Sequence, residues 1–213
     1  LPTLQKAFNL CAGQKFATQP VGAFCSGSLV GPDLILTAGH CIKTAADLQQ
    51  TLFIFGFQIL SNGKARTSYP GSAIYAGTRI VKRVQTSTVD YALIQLDRRV
   101  TGRTPVKVSA SRSVPVGLGI YVIGHPSGLP AKLADGARIT GLNTSLLVAN
   151  LDTFEGNSGS PVFNAGTNFQ IGVLDRGQAD YVKRGKCNVV NVLPSTPGRE
   201  QATRTTVFID DIP

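Results

Sequence analysis

Short apolar runs of Val, Ile, Leu and Phe alternate along the chain with turn residues, and this pattern predicts β-strands. Turn signals such as Gly31-Pro32-Asp33 and Ser61-Asn62-Gly63 separate the runs. The one helix-like stretch of note, 44–50, is too short to define an architecture. The predicted strands, about a dozen, cover residues 22–30, 34–37, 51–57, 73–84, 91–96, 119–123, 139–142, 145–151, 161–163, 168–174, 188–192 and 205–209.

The chain is long enough for one large all-β unit built from two packed halves. It has 213 residues, and all-β proteins of this size often form a single unit. The segment 99–115 is polar and bounded by proline, so we predict that it links the two halves. Two antiparallel barrels and one sandwich both fit this pattern.

Composition favours a soluble, secreted protein. Hydrophobic residues make up 42% of the sequence and charged residues 15%. No apolar run approaches the roughly 18 residues that a membrane-spanning helix needs, and no charged-then-apolar leader precedes Leu1. We therefore expect no membrane span, and a mature chain that remains after removal of a signal and a propeptide. Four cysteines fit two disulfides in an oxidising compartment, but the sequence alone does not choose the pairing.

The basic charge leaves several partner classes open. Lys and Arg number 21 against 12 Asp and Glu, which gives a formal net charge of +9. A field of this sign attracts nucleic acid, anionic surfaces or acidic substrates. No DNA- or RNA-binding signature and no aromatic interleaving accompany the charge, so we interpret it as a soluble basic surface and predict no nucleic-acid partner.

Three segments carry residue types that can do chemistry, although each alone has a structural explanation. His40 follows an apolar run, Asp90 opens another, and Ser158 lies among glycines in the loop 156–160. A single histidine is usually structural, and an Asp at a strand end is more often a turn or cap. The glycines also fit a chemical role. The backbone amides of Gly156 and Ser158 can form an oxyanion hole only where no side chain blocks the substrate carbonyl.

Together the three residues match a known catalytic arrangement. A serine hydroxyl needs a nearby base, and the base needs a group that fixes its tautomer and stabilises its cation. With His40, Asp90 and Ser158 in this chain order, the sequence resembles the trypsin-like serine peptidase family from about residue 25 to residue 177. The segments that carry the resemblance are 25–30 and 36–41, the strand after Asp90 and, for the bacterial glutamyl-endopeptidase branch, 156–162 and 123–128.

The resemblance implies the fold and its division into halves. We expect an all-β, chymotrypsin-like fold of two packed six-stranded antiparallel barrels, with the active site between them. The first barrel would cover residues 15–100 and the second 116–213, within a single peptidase domain of residues 1–213.

The resemblance also implies the reaction, which is hydrolysis of peptide bonds by a secreted serine endopeptidase. Ser158 would attack the peptide carbonyl, His40 would accept and return the proton, and Asp90 would orient His40. Protein or peptide substrates are therefore the expected partners, and a monomer is the expected state. No metal and no organic cofactor is implied.

The resemblance further implies one disulfide. Cys25 with Cys41 would hold the strand that leads to His40. Cys11 and Cys187 are then left as a second pair or as two free thiols.

The resemblance places the substrate pocket next to Ser158 and suggests its preference. Asp152 lies six residues before Ser158, the spacing at which trypsin-like members carry the acidic residue that selects Lys or Arg. Leu174 occupies the place of a histidine in glutamate-specific relatives, whereas Arg176 would favour an acidic substrate. We expect cleavage after Lys or Arg. The predicted pocket residues are Asp152, Thr153, Glu155, Leu174, Asp175, Arg176 and Gly177.

Three alternatives stay open at this stage. The same triad could belong to a peptidase that cleaves after Glu or another residue. It could also belong to an esterase, since ester and amide cleavage share their chemistry. A catalytically silent relative could use the basic surface for binding. His125 could be a metal ligand or a second catalytic base. Pro126 and Gly128 beside it mark a tight turn, so we interpret His125 as a loop residue.

Overall fold

The structure is a computed structural model that describes residues 1–151, 153–177, 179–191 and 200–213. Most of its regular structure is antiparallel strand, as the short apolar runs predict. The strands are β1 (Ser28–Gly31), β2 (Leu34–Thr37), β3 (Leu52–Ile54), β4 (Ile74–Gln85), β5 (Asp90–Leu96), β6 (Gly119–Gly124), β7 (Lys132–Leu142), β8 (Leu146–Ala149), β9 (Pro161–Asn164), β10 (Gln170–Arg176), β11 (Tyr181–Arg184), β12 (Cys187–Val190) and β13 (Glu200–Arg204).

Helical structure is confined to short segments. Thr44 caps the predicted helix, because its hydroxyl accepts from the amide of Asp47 while the Asp47 carboxylate accepts from the amide of Thr44. The α-helices are α1 (Leu4–Ala7) and α2 (Ala45–Gln49), and single 3₁₀ turns cover Gly71–Ala73, Pro126–Gly128, Thr205–Val207 and Ile209–Asp211.

The second half of the chain closes into a six-stranded barrel, which confirms that part of the predicted fold. The strand order is β10-β13-β8-β7-β6-β9, and each neighbouring pair is antiparallel. Side chains that point inward from these strands form one buried cluster, because alternate residues of a strand face the same side. The cluster includes Val122, Ile139, Leu147, Val162 and Ala202.

The first half differs from the predicted six-stranded barrel. Within the described residues it is a five-stranded sheet, in the order β1-β2-β5-β4-β3. The segment between β3 and β4 is rich in polar residues and glycine, and it contributes one isolated bridge, between Ile59 and Ala65, in place of a sixth strand.

Two other strand predictions need correction. The predicted strand 205–209 is wrong, since the last barrel strand is β13 and a 3₁₀ turn follows it. The apolar residues that suggested a strand are buried instead between the two halves, where Phe208 has no exposed surface and its ring packs at a tilt against that of Tyr91, with centroids 5.0 Å apart. Val192, the end of the predicted strand 188–192, lies outside the described residues. Strand β11 was not predicted at all.

The two halves pack against each other through a shared apolar cluster. Leu36 and Leu93 from the first sheet and Val173 from the barrel belong to it, together with Phe208. The linker 99–115 contains no strand in the structure, and it bonds to both halves, with the amide of Val106 donating to Leu29 O and that of Ser109 to Gln170 O, both at 2.8 Å. No helix in the described part of the chain is long and apolar enough to cross a membrane.

Candidate active site

Strand pairing brings His40 and Asp90 together. Strand β2 ends three residues before His40, and β5 begins at Asp90. Because β2 and β5 are antiparallel, with Thr37 opposite Ala92, the end of one strand lies beside the start of the other. Gly39 permits the contact, since a Cβ there would lie 2.9 Å from Asp90 Oδ1 and 2.6 Å from Val84 O.

Asp90 holds His40 through both carboxylate oxygens. His40 Nδ1 lies 2.7 Å from Asp90 Oδ2, and the amide of His40 donates to Asp90 Oδ1 at 3.0 Å. Asp90 is 4% exposed, and a buried carboxylate needs such donors to offset its lost hydration. The bond assigns the proton to Nδ1 and leaves Nε2 free to accept one, and the His40 side chain is 30% exposed.

The Ser158 loop depends on glycines at two positions. Gly156 and Gly159 have φ of +89° and +86°, the left-handed region that favours glycine. A Cβ on Gly159 would lie 2.2 Å from Ser26 O and 2.3 Å from Thr37 Oγ1. The loop therefore packs directly against the segment that leads to His40.

Further hydrogen bonds fix the Ser158 loop beside His40. Ser26 donates from its amide to Ser158 O at 2.8 Å and from its hydroxyl to Gly156 O at 2.7 Å. Cys41 Sγ lies 3.8 Å from Ser158 O. Because Cys41 follows His40 in the chain, these contacts bring the backbone of Ser158 next to that of His40.

The groups that would react are not hydrogen-bonded to each other. Within the described residues, Ser158 Oγ forms no hydrogen bond with His40, and the amides of Gly156 and Ser158 donate to no protein acceptor. Catalytic hydrogen bonds often tighten only when substrate is present.

A pocket opens next to Ser158, with a volume of about 490 Å³. Asp152, the predicted selector of Lys and Arg, lies outside the described residues. The other predicted pocket residues all line this pocket: Thr153, Glu155, Leu174, Asp175, Arg176 and Gly177.

The side chains of that group differ in how they face the pocket. Leu174 is 3% exposed and packs in the barrel core. Arg176 is directed at the turn before β5, where its guanidinium donates to Thr86 O at 3.2 Å and to Ser87 O. Its charge is therefore held at the wall of the pocket.

The four cysteines form two disulfides. Cys25 is bonded to Cys41 and Cys11 to Cys187. The sulfurs of Cys25 and Cys41 lie near the His40 ring in an arrangement that could hold a metal ion. Because they are bonded to each other, they lack the thiolates that bind metals.

The ring of His125 makes structural contacts, although its backbone lies beside the Ser158 loop, with the His125 amide donating to Ser26 Oγ at 2.9 Å. Its Nδ1 is 2.9 Å from Leu129 O, and its ring stacks on Phe57 at a centroid distance of 5.7 Å. Burial lowers the pKa of His125. This environment agrees with the structural interpretation of His125.

The sequence of the chain matches a known protein family. A family model described as a trypsin-like peptidase domain matches residues 25–173. The chain belongs to the trypsin-like peptidase family. This membership confirms the resemblance predicted from the segments around His40, Asp90 and Ser158.

Two curated proteins are similar in sequence to this trypsin-like peptidase domain. A glutamyl endopeptidase of Bacillus licheniformis is 31% identical over 146 residues, which cover 65% of this chain and 45% of the relative. Secreted RxLR effector protein 73 of Plasmopara viticola is 29% identical over 190 residues, which cover 79% of this chain and 45% of the relative. The chain thus spans less than half the length of either relative.

A solved structure has the same fold. The structure of Glu endopeptidase in complex with MPD matches with a TM-score of 0.62 and 20% sequence identity, covering 91% of this chain and 86% of that chain. The match confirms the all-β, chymotrypsin-like fold, with the first half of this trypsin-like peptidase domain as a five-stranded sheet.

Two residues of β13 belong to the site and were not predicted. Glu200 is 4% exposed, lines the pocket and accepts a hydrogen bond from Thr153 Oγ1. A Cβ on Gly177 would lie 2.5 Å from both Glu200 carboxylate oxygens, so a larger residue there would displace that carboxylate. Thr203 contacts both Asp90 and Asp175. No local motif marks these residues, because only the pairing of β13 with β10 brings them to the site.

The N-terminal segment also reaches the pocket of the peptidase domain. Phe8 lines the pocket, its ring packs at a tilt against that of Tyr181 with centroids 5.0 Å apart, and the Tyr181 ring lies 5.9 Å from that of Phe154. Cys11 ties this segment to Cys187 in the hairpin that follows Tyr181. The sequence shows the cysteines but not the aromatic contacts, which depend on the tertiary fold.

Proposed function

We propose that the protein is a secreted serine endopeptidase with Ser158 as nucleophile, His40 as general base and Asp90 as the residue that orients it. The observation that carries the proposal is the 2.7 Å contact between His40 Nδ1 and Asp90 Oδ2 beside the anchored Ser158 loop. Family membership supports it independently.

In the proposed acylation step, Ser158 Oγ forms a bond to the substrate carbonyl carbon while His40 Nε2 takes the serine proton. The carbonyl oxygen becomes an oxyanion that the amides of Gly156 and Ser158 stabilise. The C–N bond then breaks, and His40 returns the proton to the leaving amine. Water repeats the sequence on the acyl-enzyme and releases the second product.

Secretion is supported by the cysteines and by the relatives. Both disulfides suit an oxidising compartment, and disulfides are rare in reducing ones. One relative carries the word secreted in its name.

We infer a preference for Lys or Arg on the acyl side of the scissile bond. The described pocket is lined by the carboxylate residues Glu155, Asp175, Asp180 and Glu200, of which Asp175 and Glu200 are buried. Asp152, at the trypsin-like spacing, is the residue predicted to select the cation. A pocket of this charge favours a cationic side chain and rejects acidic ones, since an acidic side chain would meet like charges.

A preference for Glu is the second candidate, because one relative is named a glutamyl endopeptidase and Arg176 lines the pocket. Two observations weaken it. Leu174 stands where glutamate-specific relatives carry a histidine, and the Arg176 guanidinium is bound by backbone carbonyls and lies near Asp175.

Matched peptides that differ only in Arg, Lys, Glu, Phe or Ala on the acyl side decide the preference. We expect Arg and Lys to be cleaved fastest, and the variants Asp152→Ser and Glu200→Gln to lower kcat/KM for Arg on the order of a hundredfold. Glu155→Gln, at the exposed rim, is the matched control with a small effect. Fastest cleavage after Glu, or unchanged Arg cleavage in both pocket variants, would contradict this preference.

Casein and a short ester separate the peptidase from the other candidates. The proposal predicts turnover of both, abolished in both by Ser158→Ala. Ester turnover without casein cleavage would indicate an esterase, and the absence of either activity in the wild-type protein would indicate a silent binding protein.

A further inference from the structure

A buried carboxylate lies behind the proposed catalytic residues and has no part in the mechanism above. Asp175 lies on β10, and its side chain has no exposed surface although the residue borders the pocket. Asp175 Oδ2 accepts from Thr203 Oγ1 at 2.7 Å. Asp175 Oδ1 accepts no hydrogen bond within the described residues, and Arg176 Nε lies 3.6 Å from it.

Thr203 connects this carboxylate to Asp90. Its hydroxyl oxygen accepts from the amide of Asp90 at 2.8 Å. The single hydroxyl proton is donated to Asp175 at 2.7 Å, since the alternative acceptor, Asp90 O, is farther away at 3.4 Å. A directed chain of hydrogen bonds therefore runs from the Asp90 backbone through Thr203 to Asp175.

The charged groups that face Asp175 are Asp90 and His40 from the first half and its neighbour Arg176. Burial raises the pKa of Asp175 to about 6, and the repulsion from Asp90 adds to this, while Thr203, Arg176 and His40 act in the opposite direction. This interaction is mutual, because opposite charges attract. A protonated His40 stabilises an ionised Asp175, and an ionised Asp175 stabilises a protonated His40.

We propose that Asp175 is a positioning residue for the Asp90–His40 pair: it holds the Asp90 backbone through Thr203, and its negative charge stabilises His40 when His40 carries the serine proton. This inference rests on the proposed peptidase function. Asp175 then acts in catalysis, whereas the sequence predicted that it contacts the substrate side chain.

The role has a consequence for the pH dependence of turnover. Activity requires His40 without its extra proton and falls on the order of tenfold when Asp175 is protonated, so two protonations contribute to the loss of kcat/KM on the acid side. Below about pH 6 the logarithm of kcat/KM should fall with a slope between one and two. Without Asp175 the slope should be one.

The test compares Asp175→Asn, Thr203→Ser and Thr203→Val with the wild-type protein, on one peptide substrate across the pH range. Asp175→Asn should lower kcat on the order of tenfold, change KM by less than about twofold and reduce the acid slope to one. Thr203→Ser keeps the hydroxyl and should retain most of kcat, whereas Thr203→Val should lose as much as Asp175→Asn. Asp135→Asn, an exposed aspartate on β7, is the control that should leave all parameters unchanged.

Several results would overturn the proposal. These are unchanged kcat and slope in Asp175→Asn, a raised KM with unchanged kcat, or equal losses in the two Thr203 variants. If Asp175→Asn does not fold, an acid slope of one in the wild-type protein overturns it as well. A wild-type protein without activity overturns the peptidase function and this inference with it, whereas activity that Ser158→Ala abolishes and Asp175→Asn leaves intact overturns this inference alone.

Discussion

At the scale of single residues, Asp175 links stability to pH. Its pKa rises from 3.8 in the unfolded chain to about 6 in the folded protein, chiefly through burial. The folded protein thus binds this proton more tightly than the unfolded chain does. Stability from this group is fully present below about pH 4 and is lost as pH rises through about 6.

Asp175→Asn should therefore stabilise the protein at pH 8, on the order of 3 kcal/mol in the free energy of unfolding, and have little effect near pH 4. Asn keeps an oxygen that can accept from Thr203 Oγ1 but carries no charge. Urea denaturation at several pH values measures the difference. A destabilised variant at pH 8, or a difference that does not vary with pH, would show that Asp175 is not a strained buried charge.

A more stable but slower variant would be a trade-off between stability and activity, as is common where a site needs a buried charge.

The sequence placed Asp175 near the pocket, through its position after Leu174. It could not indicate the burial of the carboxylate or the contact with Thr203, because both depend on the pairing of β10 with β13.

At the scale of elements, the Ser158 loop owes its course to close backbone packing. Gly159 and Gly136 both have positive φ, +86° and +74°. A Cβ on Gly159 would meet Ser26 O at 2.2 Å, whereas a Cβ on Gly136, in β7, would meet nothing within 4 Å. The two positions therefore separate backbone strain from steric collision.

Gly159→Ala should lower kcat/KM by on the order of a hundredfold or more, because the loop must move away from Ser26. Gly136→Ala shares the strain of a left-handed alanine, roughly 1–2 kcal/mol, without the collision, and should keep its activity. Peptide turnover and thermal unfolding of the two variants measure these effects. Equal activity losses in both would mean that the packing of the Ser158 loop is not what positions the serine.

Several elements could be predicted from apolar runs with clear turn boundaries. Strand β2 was predicted with its exact bounds and β5 to within one residue, because each is a buried run that ends at polar residues. Strand β13 was missed, since its sequence Glu-Gln-Ala-Thr-Arg is largely polar and the apolar residues after it fill the contact between the halves. Pairing with β8 and β10, not local composition, makes it a strand.

At the scale of the whole molecule, the proposed site depends on both halves and on the N-terminal segment. His40 follows β2 and Asp90 opens β5 in the half with the five-stranded sheet, whereas Ser158 lies in the loop before the barrel strand β9. Residue order and family motifs were enough to select these three from the sequence. Glu200, Thr203 and the other missed residues come from distant parts of the chain, so sequence spacing gave no indication that they meet at the pocket.

In the proposed mechanism Ser158 is a nucleophile activated by His40. Labelling with a phosphonylating reagent, followed by mass-spectrometric mapping of the adduct, tests it most directly. We predict one adduct on Ser158, none on Ser158→Ala, strongly slowed labelling of His40→Ala, and retained labelling of Ser160→Ala, a buried serine in the same loop. An adduct on another residue, or undiminished labelling of Ser158→Ala, would contradict the account.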